Sequence, residues 1–441
     1  MYRYPSTYAA LLAFAAIAGM MLCTATVSAL EIEPGIGVGA EFTDNVQLTS
    51  VDEIHDVVAV GYVGARISEN NGPISADATA SLSHHRYTRD SYPDRHYFNL
   101  GATAAWEMVK NRFDWLLQDY YTQRPVNSIN AFTPDNIQDT NIFSFGANMN
   151  FPVSGLQTVT LLPEYRRFYY EGQATDNQQY SLAANWNYQI YRLASVGLSA
   201  SLRSVDYDQP GIANVAFSSV YFVFSGKRAR SDFSTNLGAT RVDRDNGQNT
   251  EALAGKLDWL VNLTSRSSIR TYIATDLTDG SNGAYNSTVD PGTGDPNNIQ
   301  VTTDVIRNKV MTVGYRRRDG TLNSSLTGEL RELSYSESPN DSRIRSLNAA
   351  FNYRLTALLS SGFHARYSNT ELIDSDRVDN EYTVGASLGY LLSRKLRSTF
   401  DIQYHNTEST EDTQDYNEFS AFVSLVYGYG NVSRPARGGG Y

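Results

Sequence analysis

The chain has 441 residues, with 36 basic and 47 acidic side chains, and its formal net charge at neutral pH is −11. This acidic balance argues against a plain nucleic-acid-binding protein, which needs basic surface for the phosphate backbone. One Cys and six His are too few for a disulfide or zinc scaffold. An aromatic content of 12% and regular patterning argue against intrinsic disorder.

Residues 1–29 have the features of a cleaved secretory signal peptide. Arg3 supplies the positive charge, the apolar run Ala9–Cys23 follows, and small residues precede the expected cleavage after Ala29. The apolar run is shorter than the ~20 residues of a typical transmembrane helix. We therefore predict that the chain is exported and that residues 1–29 are removed.

After this segment, apolar and polar residues alternate along stretches of about 10–16 residues. Clear examples are Phe98–Met108, Tyr180–Ile190 and Tyr382–Leu392. Successive side chains of a β-strand point to opposite faces, so each stretch has one apolar and one polar face. A soluble sandwich has similar alternation, but these stretches are longer than ordinary globular strands and suit tilted bilayer crossings.

The connections between these stretches alternate between short and long. Nine short and ten long connections predict a chain of about 18–20 strands. Outer-membrane barrels have this asymmetry, with short periplasmic turns and longer extracellular loops. Because only helices and closed barrels satisfy every backbone polar group in lipid, we predict an all-β fold, a single closed antiparallel transmembrane β-barrel. Its expected bounds are residues 30–430, and residues 431–441 are expected to form a flexible tail.

The polar faces define candidate lumen-lining residues. Their acidic and basic members nearly balance, which predicts a wet lumen without strong ion selectivity. Alternation places Tyr120 and Tyr272 inward, and we expect most other tyrosines to face outward. The candidates are Glu107, Asp114, Tyr120, Glu164, Arg166, Arg203, Lys256, Asp258, Arg270, Tyr272, Asp276, Arg316, Glu329, Arg331, Arg354, Arg366, Arg397 and Asp401.

The longest predicted loop, residues 279–302, is open to two interpretations. It either folds into the lumen as a constriction or extends outward as a mobile loop. Charge also separates, with basic residues such as Lys110 and Arg228 in short turns and acidic ones such as Asp374 and Asp412 in long loops. A basic periplasmic mouth would attract an anionic polymer and an acidic outer rim would repel it. Alternatively, acidic loops bind lipopolysaccharide through divalent cations or only keep the surface soluble.

Catalytic and metal-binding patterns are weak. His84 and His85 are neighbours on a strand, so they point to opposite faces and cannot ligate one metal together. The stretch from Asp243 resembles a calcium loop, but Gln248 stands where the turn glycine belongs and Ala254 where the bidentate glutamate belongs. We therefore predict no enzymatic activity, no cofactor, no metal site and no nucleic-acid partner.

Three motifs resemble the β-barrel porin 2 family. Residues 41–48 read Glu-Phe-Thr-Asp-Asn-Val-Gln-Leu, similar to the start of that family. Phe113–Tyr120 and the stretch Thr133–Ser144 look like the branch found with exosortase (PEP-CTERM) and exopolysaccharide loci. The resemblance implies an outer-membrane β-barrel with a role in exopolysaccharide production or export, and it identifies no catalytic residues.

Three functions follow as hypotheses. The first is a passive outer-membrane channel for exopolysaccharide secretion, the second a general diffusion porin, and the third a closed structural or adhesive surface barrel. Each predicts an integral protein of the bacterial outer membrane. Expected partners are outer-membrane lipid, lipopolysaccharide and the barrel-assembly machinery, with exopolysaccharide and periplasmic export proteins added by the first hypothesis.

Overall fold

A computed structural model describes residues 30–172, 175–247, 249–289 and 299–432. In this part of the chain, twenty antiparallel strands form one barrel. The predicted signal peptide, residues 1–29, and tail residues 433–441 lie outside the described residues. The strands are β1 (Glu31–Thr43), β2 (Asp56–Glu69), β3 (Ile74–Tyr87), β4 (Arg95–Val109), β5 (Phe113–Pro125), β6 (Ile137–Pro152), β7 (Gln157–Tyr170), β8 (Asn177–Tyr191), β9 (Ala194–Tyr207), β10 (Val215–Arg228), β11 (Ser231–Arg244), β12 (Asn249–Asn262), β13 (Ser267–Asp279), β14 (Val305–Arg318), β15 (Leu322–Tyr335), β16 (Ser342–Arg354), β17 (Leu359–Leu372), β18 (Arg377–Leu391), β19 (Leu396–Ser409) and β20 (Tyr416–Gly428).

Helical structure is confined to the connections. Helix α1 (Gly280–Val289) follows β13, and short 3-10 helices occupy Pro134–Asn136 and Asp412–Gln414. No helix in the described ranges combines the length and the apolarity needed to cross a membrane.

Pairing between the first and last strands closes the barrel. Each strand pairs antiparallel with its chain neighbours, and Gly35–Thr43 of β1 pair with Ser420–Gly428 of β20. Glu31–Pro34 extend beyond this pairing. The prediction of a closed antiparallel barrel with about 18–20 strands is therefore confirmed, and the number is twenty.

The connections alternate in length as predicted, with the nine short turns at one end and the ten other connections at the opposite end. We call these the short-turn end and the long-loop end. Two connections predicted to be long, at 243–249 and 371–380, contain only four residues each, 245–248 and 373–376. They are short because the flanking strands continue into the predicted loops.

The two faces of the wall differ in their exposure to the surroundings. On one face, large apolar side chains are exposed, and the exposed fraction of Leu253 is 83%. The pairing register puts Leu182, Val220 and Leu237 on this same face. Exposed apolar residues over the whole circumference are typical of a wall that faces lipid. The opposite face contacts α1 through Arg166 and is therefore the inner face.

The inner face is not polar throughout, contrary to the sequence prediction. Near the long-loop end, Phe168 and Tyr170 are buried against Tyr285 of α1. In the same region Val205 and Phe217 form a second buried cluster. These side chains are apolar because connections fold inward and pack against them, which removes their surface from water.

The register agrees with the expectation that Tyr120 and Tyr272 face inward and that most other strand tyrosines face outward. It also places eight further tyrosines inward. An alternation count from local sequence missed them because many lie near strand ends, where neighbouring residues are polar on both faces. The inward tyrosines of the strands are Tyr62, Tyr87, Tyr97, Tyr120, Tyr170, Tyr207, Tyr221, Tyr272, Tyr335 and Tyr416.

The chain turns inward immediately after β20. The Tyr429 N–H donates to the Pro34 carbonyl at 3.0 Å, and Val432 is buried beside Tyr62. Gly35 makes this approach possible, since a Cβ atom there would lie 1.8 Å from the Tyr429 carbonyl oxygen. The first residues of the predicted flexible tail are thus packed inside the barrel, and flexibility of the remainder stays a prediction.

Candidate functional site

The pairing register places all eighteen candidate lumen-lining residues on the inner face. Their role in conduction stays a prediction. Several form ion pairs along the wall, so opposite charges compensate one another locally. The Lys256 ammonium lies 5.0 Å from the centroid of the Tyr272 ring, within range of a cation–π interaction. The ion pairs are Arg166–Glu164 at 2.7 Å, Arg270–Asp258 at 2.6 Å and Arg331–Glu329 at 3.1 Å.

The other candidates are distributed along the barrel. Glu107 and Asp114 are register partners near the short-turn end, on the β4–β5 side. Arg397 donates to the Gly430 carbonyl at 2.7 Å and so contacts the chain that turns inward after β20. The rest occupy separate strands: Tyr120 on β5, Arg203 on β9, Asp276 on β13, Arg316 on β14, Arg354 on β16, Arg366 on β17 and Asp401 on β19.

Asp279 fixes the start of the segment between β13 and β14. Its carboxylate is 1% exposed, forms an ion pair with Arg203 and accepts a hydrogen bond from Gln179 at 3.1 Å. It also accepts the backbone N–H of Asn282 at 2.9 Å, the geometry of a helix N-cap. One buried side chain thus joins the wall at β8 and β9 to the beginning of α1.

The side chains of α1 continue this attachment across the lumen. Ser281 accepts a hydrogen bond from Asn177 at 2.9 Å, and Asn282 accepts one from Arg166 at 2.6 Å. The Tyr285 hydroxyl donates to Gln118 at 2.6 Å, and the Arg166 guanidinium lies 4.4 Å from the Tyr285 ring centroid. Burial raises the pKa of Tyr285 to about 12, so its hydroxyl remains a neutral donor.

Gln300, on the part of this segment that leads to β14, contacts another loop that folds inward. The Gln300 side chain accepts from the Ser128 backbone N–H at 2.8 Å and donates to the Val126 carbonyl at 2.8 Å. The loop that carries Ser128 also reaches β18, where Arg377 donates to the Ile129 carbonyl at 3.0 Å. Connections from separate parts of the wall therefore meet at the long-loop end.

We call the described residues 280–289 and 299–304 the mouth segment. The inward interpretation is confirmed for this segment by its contacts with the inner wall and with the loop that carries Ser128. Residues 290–298, with the stretch Asp290–Asp295, lie outside the described residues. Beneath the Ser128 loop the wall leaves a small cavity of about 70 Å³. In the described structure the mouth segment and the loop that carries Ser128 therefore both extend over the lumen at the long-loop end.

The short-turn end contains a much larger cavity of about 870 Å³. We call this cavity the basic vestibule, because six cationic side chains line it against two carboxylates, Asp232 and Asp258. Arg270 is paired with Asp258, and Lys227 lies 3.8 Å from Asp232. The four remaining cations give the vestibule a positive potential although the whole chain is acidic. They are Arg192, Arg266, Arg316 and Arg318.

The acidic long loops do not form a uniformly negative rim. Glu371 faces outward and lies 3.1 Å from Arg343. Asp379 faces inward and lies 2.8 Å from Arg377. Since these carboxylates are paired with arginine, the predicted repulsion of an anionic polymer at this end has less support than the predicted attraction at the other.

The histidines behave as their spacing predicts. His84 stacks on His96 at 4.5 Å on the outer face, whereas His85 contacts Tyr97 at 4.8 Å on the inner face. The described part of the chain contains no group of three or more His, Cys, Asp or Glu side chains arranged to hold a metal ion.

Sequence reasoning identified two wall residues that hold the mouth segment, Arg166 and Arg203, as lumen-lining candidates but missed its other anchors. Most of its candidates were charged residues inside strands, whereas Asp279, Asn177 and Gln300 lie at strand ends or in loops. One signal was present: an aspartate followed by a glycine and a serine at the end of an alternating stretch is typical of a helix N-cap. The wall residues that contact the helix carry no such signal.

Comparison with known proteins supports the fold class. The family model described as "Putative beta-barrel porin 2" matches residues 342–429, which span β16 to β20. This match agrees with the resemblance drawn from the first third of the chain. A comparison with curated protein sequences finds no match.

Solved structures with a similar fold include two bacterial receptors. The siderophore receptor PirA from Acinetobacter baumannii has 10% identity and a TM-score of 0.50, with 91% of this chain and 81% of that chain covered. The ferric enterobactin receptor PfeA from Pseudomonas aeruginosa has 9% identity and a TM-score of 0.50, with 92% and 82% covered. At this identity the likeness concerns the fold alone. With the exposed apolar wall, it identifies a large outer-membrane β-barrel.

Proposed function

We propose that this barrel is a passive channel for the secretion of an anionic exopolysaccharide. The polymer enters through the basic vestibule and leaves at the long-loop end when the mouth segment moves aside. The proposal requires outer-membrane lipid and lipopolysaccharide around the wall, the barrel-assembly machinery for insertion, and periplasmic export proteins that supply the polymer at the short turns.

The basic vestibule is the observation that carries this proposal. In outer-membrane barrels the short turns face the periplasm, which is the side from which an exported polymer arrives. A cleft lined by one sign of charge raises the local concentration of ligands of opposite sign. Arg266 and Arg318 lie in or next to turns at the entrance, so an acidic polymer meets them first.

The inner wall beyond the vestibule suits a moving polymer. Ion pairs such as Arg166–Glu164 and Arg331–Glu329 leave little unpaired charge on these strands that would hold a polyanion tightly. Most inward tyrosines are buried, but Tyr120, Tyr221 and Tyr335 are partly exposed and offer flat apolar rings with a polar hydroxyl, which suit the mixed surface of a sugar. Weak, repeated contacts of this kind permit passage without a strong binding site.

The mouth segment favours a second candidate, a closed structural or adhesive barrel. Its anchors at Asp279, Asn282 and Tyr285 cover the long-loop end, as expected for a barrel that does not conduct. A general diffusion porin, the third candidate, would have an open pore that is indifferent to polymers. Conductance separates these candidates.

The test is single-channel recording of the full mature chain in planar bilayers. Anionic and neutral polysaccharides of equal length are added to one side at a time. Secretion predicts openings that are blocked by the anionic polymer, more strongly from the short-turn side, and little affected by the neutral one. Openings indifferent to either polymer would indicate a porin, and a correctly folded barrel that never opens would indicate the closed structural role.

A further inference from the structure

The outer face of the wall has a groove of about 590 Å³ between β11 and β16. The groove follows the register row Leu237–Gly255–Thr275–Lys309. Gly255 has no side chain and Thr275 has a short one, so the otherwise convex wall is hollow at this row. The apolar floor beside it consists of Leu257, Ile273, Met311 and Leu330.

One end of the groove is bordered by a row of charged side chains. Lys309, Glu332, Arg343 and Glu371 are successive register partners across β14 to β17. Arg345 lies next to this row and donates to Asn369 at 2.9 Å. All of these residues face outward, on the same face as the exposed Leu330.

Cations outnumber carboxylates in this row and its surroundings. With Arg307, which is exposed two residues before Lys309, there are four basic residues against Glu332 and Glu371. This local excess contrasts with the net charge of −11 for the chain. The groove is therefore apolar along its floor and positive at its rim.

The cations keep donors available despite their ion pairs. Lys309 lies 2.7 Å from Glu332 and Arg343 lies 3.1 Å from Glu371. A lysine has three N–H donors and an arginine five, so one carboxylate does not saturate either of them. The side chains of Lys309, Arg343 and Arg345 remain between 43% and 50% exposed.

We propose that this groove binds a phosphorylated lipid of the outer leaflet. The phosphate is held by Lys309, Arg343 and Arg345, and an acyl chain lies along the apolar floor. The rim is at the long-loop end of the wall, where the outer-leaflet headgroups lie in an outer-membrane barrel. A second copy of the chain would bring a rim of the same sign, which disfavours it as the occupant.

Native mass spectrometry of the full chain, released from detergent micelles, tests this assignment. The probes are bisphosphorylated lipid A, the same lipid without its phosphates, and inorganic phosphate. The double variant Lys309→Ala/Arg345→Ala is compared with Arg241→Ala. Arg241 is the matched control because it also faces outward near the long-loop end but is surrounded by Asp243 and Glu251.

We expect the double variant to bind phosphorylated lipid A about 25-fold more weakly, because each surface cation contributes about fivefold. Binding of the dephosphorylated lipid and the behaviour of Arg241→Ala should stay near the original level. A second variant, Thr275→Leu, fills the groove without changing charge and should weaken both lipids. Heat-modifiable gel migration verifies that each variant forms the barrel.

Three results would overturn the proposal. Equal binding of both lipids would show that the phosphate is not recognised. An equal loss of phosphorylated lipid A binding in Arg241→Ala would show that any outward-facing cation can hold the phosphate. Saturation by inorganic phosphate at the affinity of the lipid, unaffected by Thr275→Leu, would show a simple anion site without a lipid groove. None of these readouts depends on channel activity, so the proposal stands or falls separately from secretion.

Discussion

The two ends of the barrel are built from the same meander of strands but differ in what lies inside them. At the short-turn end, connections of two to four residues return at once to the wall and leave a cavity of about 870 Å³. At the long-loop end, the described residues 280–289 and 299–304 between β13 and β14 extend over the lumen and contact the opposite wall. This difference shows that the length of the connections determines whether a barrel end is open, because a short turn cannot span the pore.

The inner surface is adapted to each end. Apolar side chains such as Phe168 and Val205 occur where inward-folded chain packs against them. Cations line the vestibule, where the wall meets water. If the long-loop end is a removable cover and the short-turn end a charged entrance, substitutions at the two ends should change different properties.

The largest effect is expected from Asp279→Ala. This change removes the helix cap and leaves Arg203 unpaired, and breaking a buried ion pair in this way costs about 3–5 kcal/mol. Because Asp279 anchors the mouth segment and the strands stay paired, we expect the closed state to be disfavoured relative to the open state by more than about a hundredfold. The measurement is open probability in planar bilayers. The control is Asp208→Ala, which breaks an exposed ion pair with Arg167 and should leave the open probability unchanged. If Asp279→Ala also left the open probability unchanged, the idea of a removable cover would be contradicted.

A smaller effect, confined to selectivity, is expected from Arg266→Glu combined with Arg318→Glu at the vestibule. Reversing these charges should move the permeability ratio toward cations, because the vestibule potential acts on ions that enter. The reversal potential in a salt gradient reports it, and the shift should shrink in 1 M salt. The double variant Arg394→Glu/Lys395→Glu, in the exposed turn between β18 and β19 and away from the cavity lining, is the control. An equal shift of the reversal potential in the control would show that the vestibule has no special role in ion selectivity.

Tyr285→Phe should have a weaker effect on gating than Asp279→Ala. It removes the hydrogen bond to Gln118 but keeps the ring beside Arg166, so the loss is about 1 kcal/mol. We expect the open state to gain about fivefold relative to the closed state. The same recordings measure it, and Tyr180→Phe on the outer face serves as the control. A larger effect than that of Asp279→Ala would mean that the helix is held mainly through the hydrogen bond of the Tyr285 hydroxyl to Gln118.

The smallest effect is expected from Asp319→Asn in the turn between β14 and β15. Hydrogen bonds from the backbone N–H groups of Leu322 and Thr321, and then from Arg317, hold the pKa of Asp319 well below its usual range. A carboxylate with a lowered pKa stabilises the fold above its unfolded pKa of ~4, and this stabilisation is lost as the pH falls further. We expect the variant to unfold at a slightly lower temperature at pH 7, and the difference to vanish in strong acid. A change in the open probability of this variant would contradict the expectation that substitutions at the two ends change different properties.

The sequence predicted the wall well because period-two alternation and turn spacing are local properties. Phe98–Met108 and Tyr382–Leu392 show which face meets lipid without knowledge of any other strand. Closure and strand number follow from counting such stretches. The eighteen inner-face candidates depend on the same alternation.

The sequence did not predict the cover because it depends on contacts between distant residues. Arg377 and Ile129 are 248 positions apart, and Ser128 and Gln300 are 172 apart. Nothing near Phe168 indicates that its inward position would be apolar, since its partner Tyr285 comes from another connection. The outer groove was missed for the same reason, as it depends on Gly255 and Thr275 being register partners.

The seam between β1 and β20 has a consequence for how neighbouring molecules interact. Because β20 ends at Gly428, residues Glu31–Pro34 present a short strand edge at the short-turn end, and exposed edges invite pairing with other chains. Two features discourage this: Pro34 has no N–H to offer, and Glu31 and Glu33 add like charges that repel a second copy. The turn at Tyr429 also occupies the Pro34 carbonyl. The seam is thereby protected against edge-to-edge aggregation.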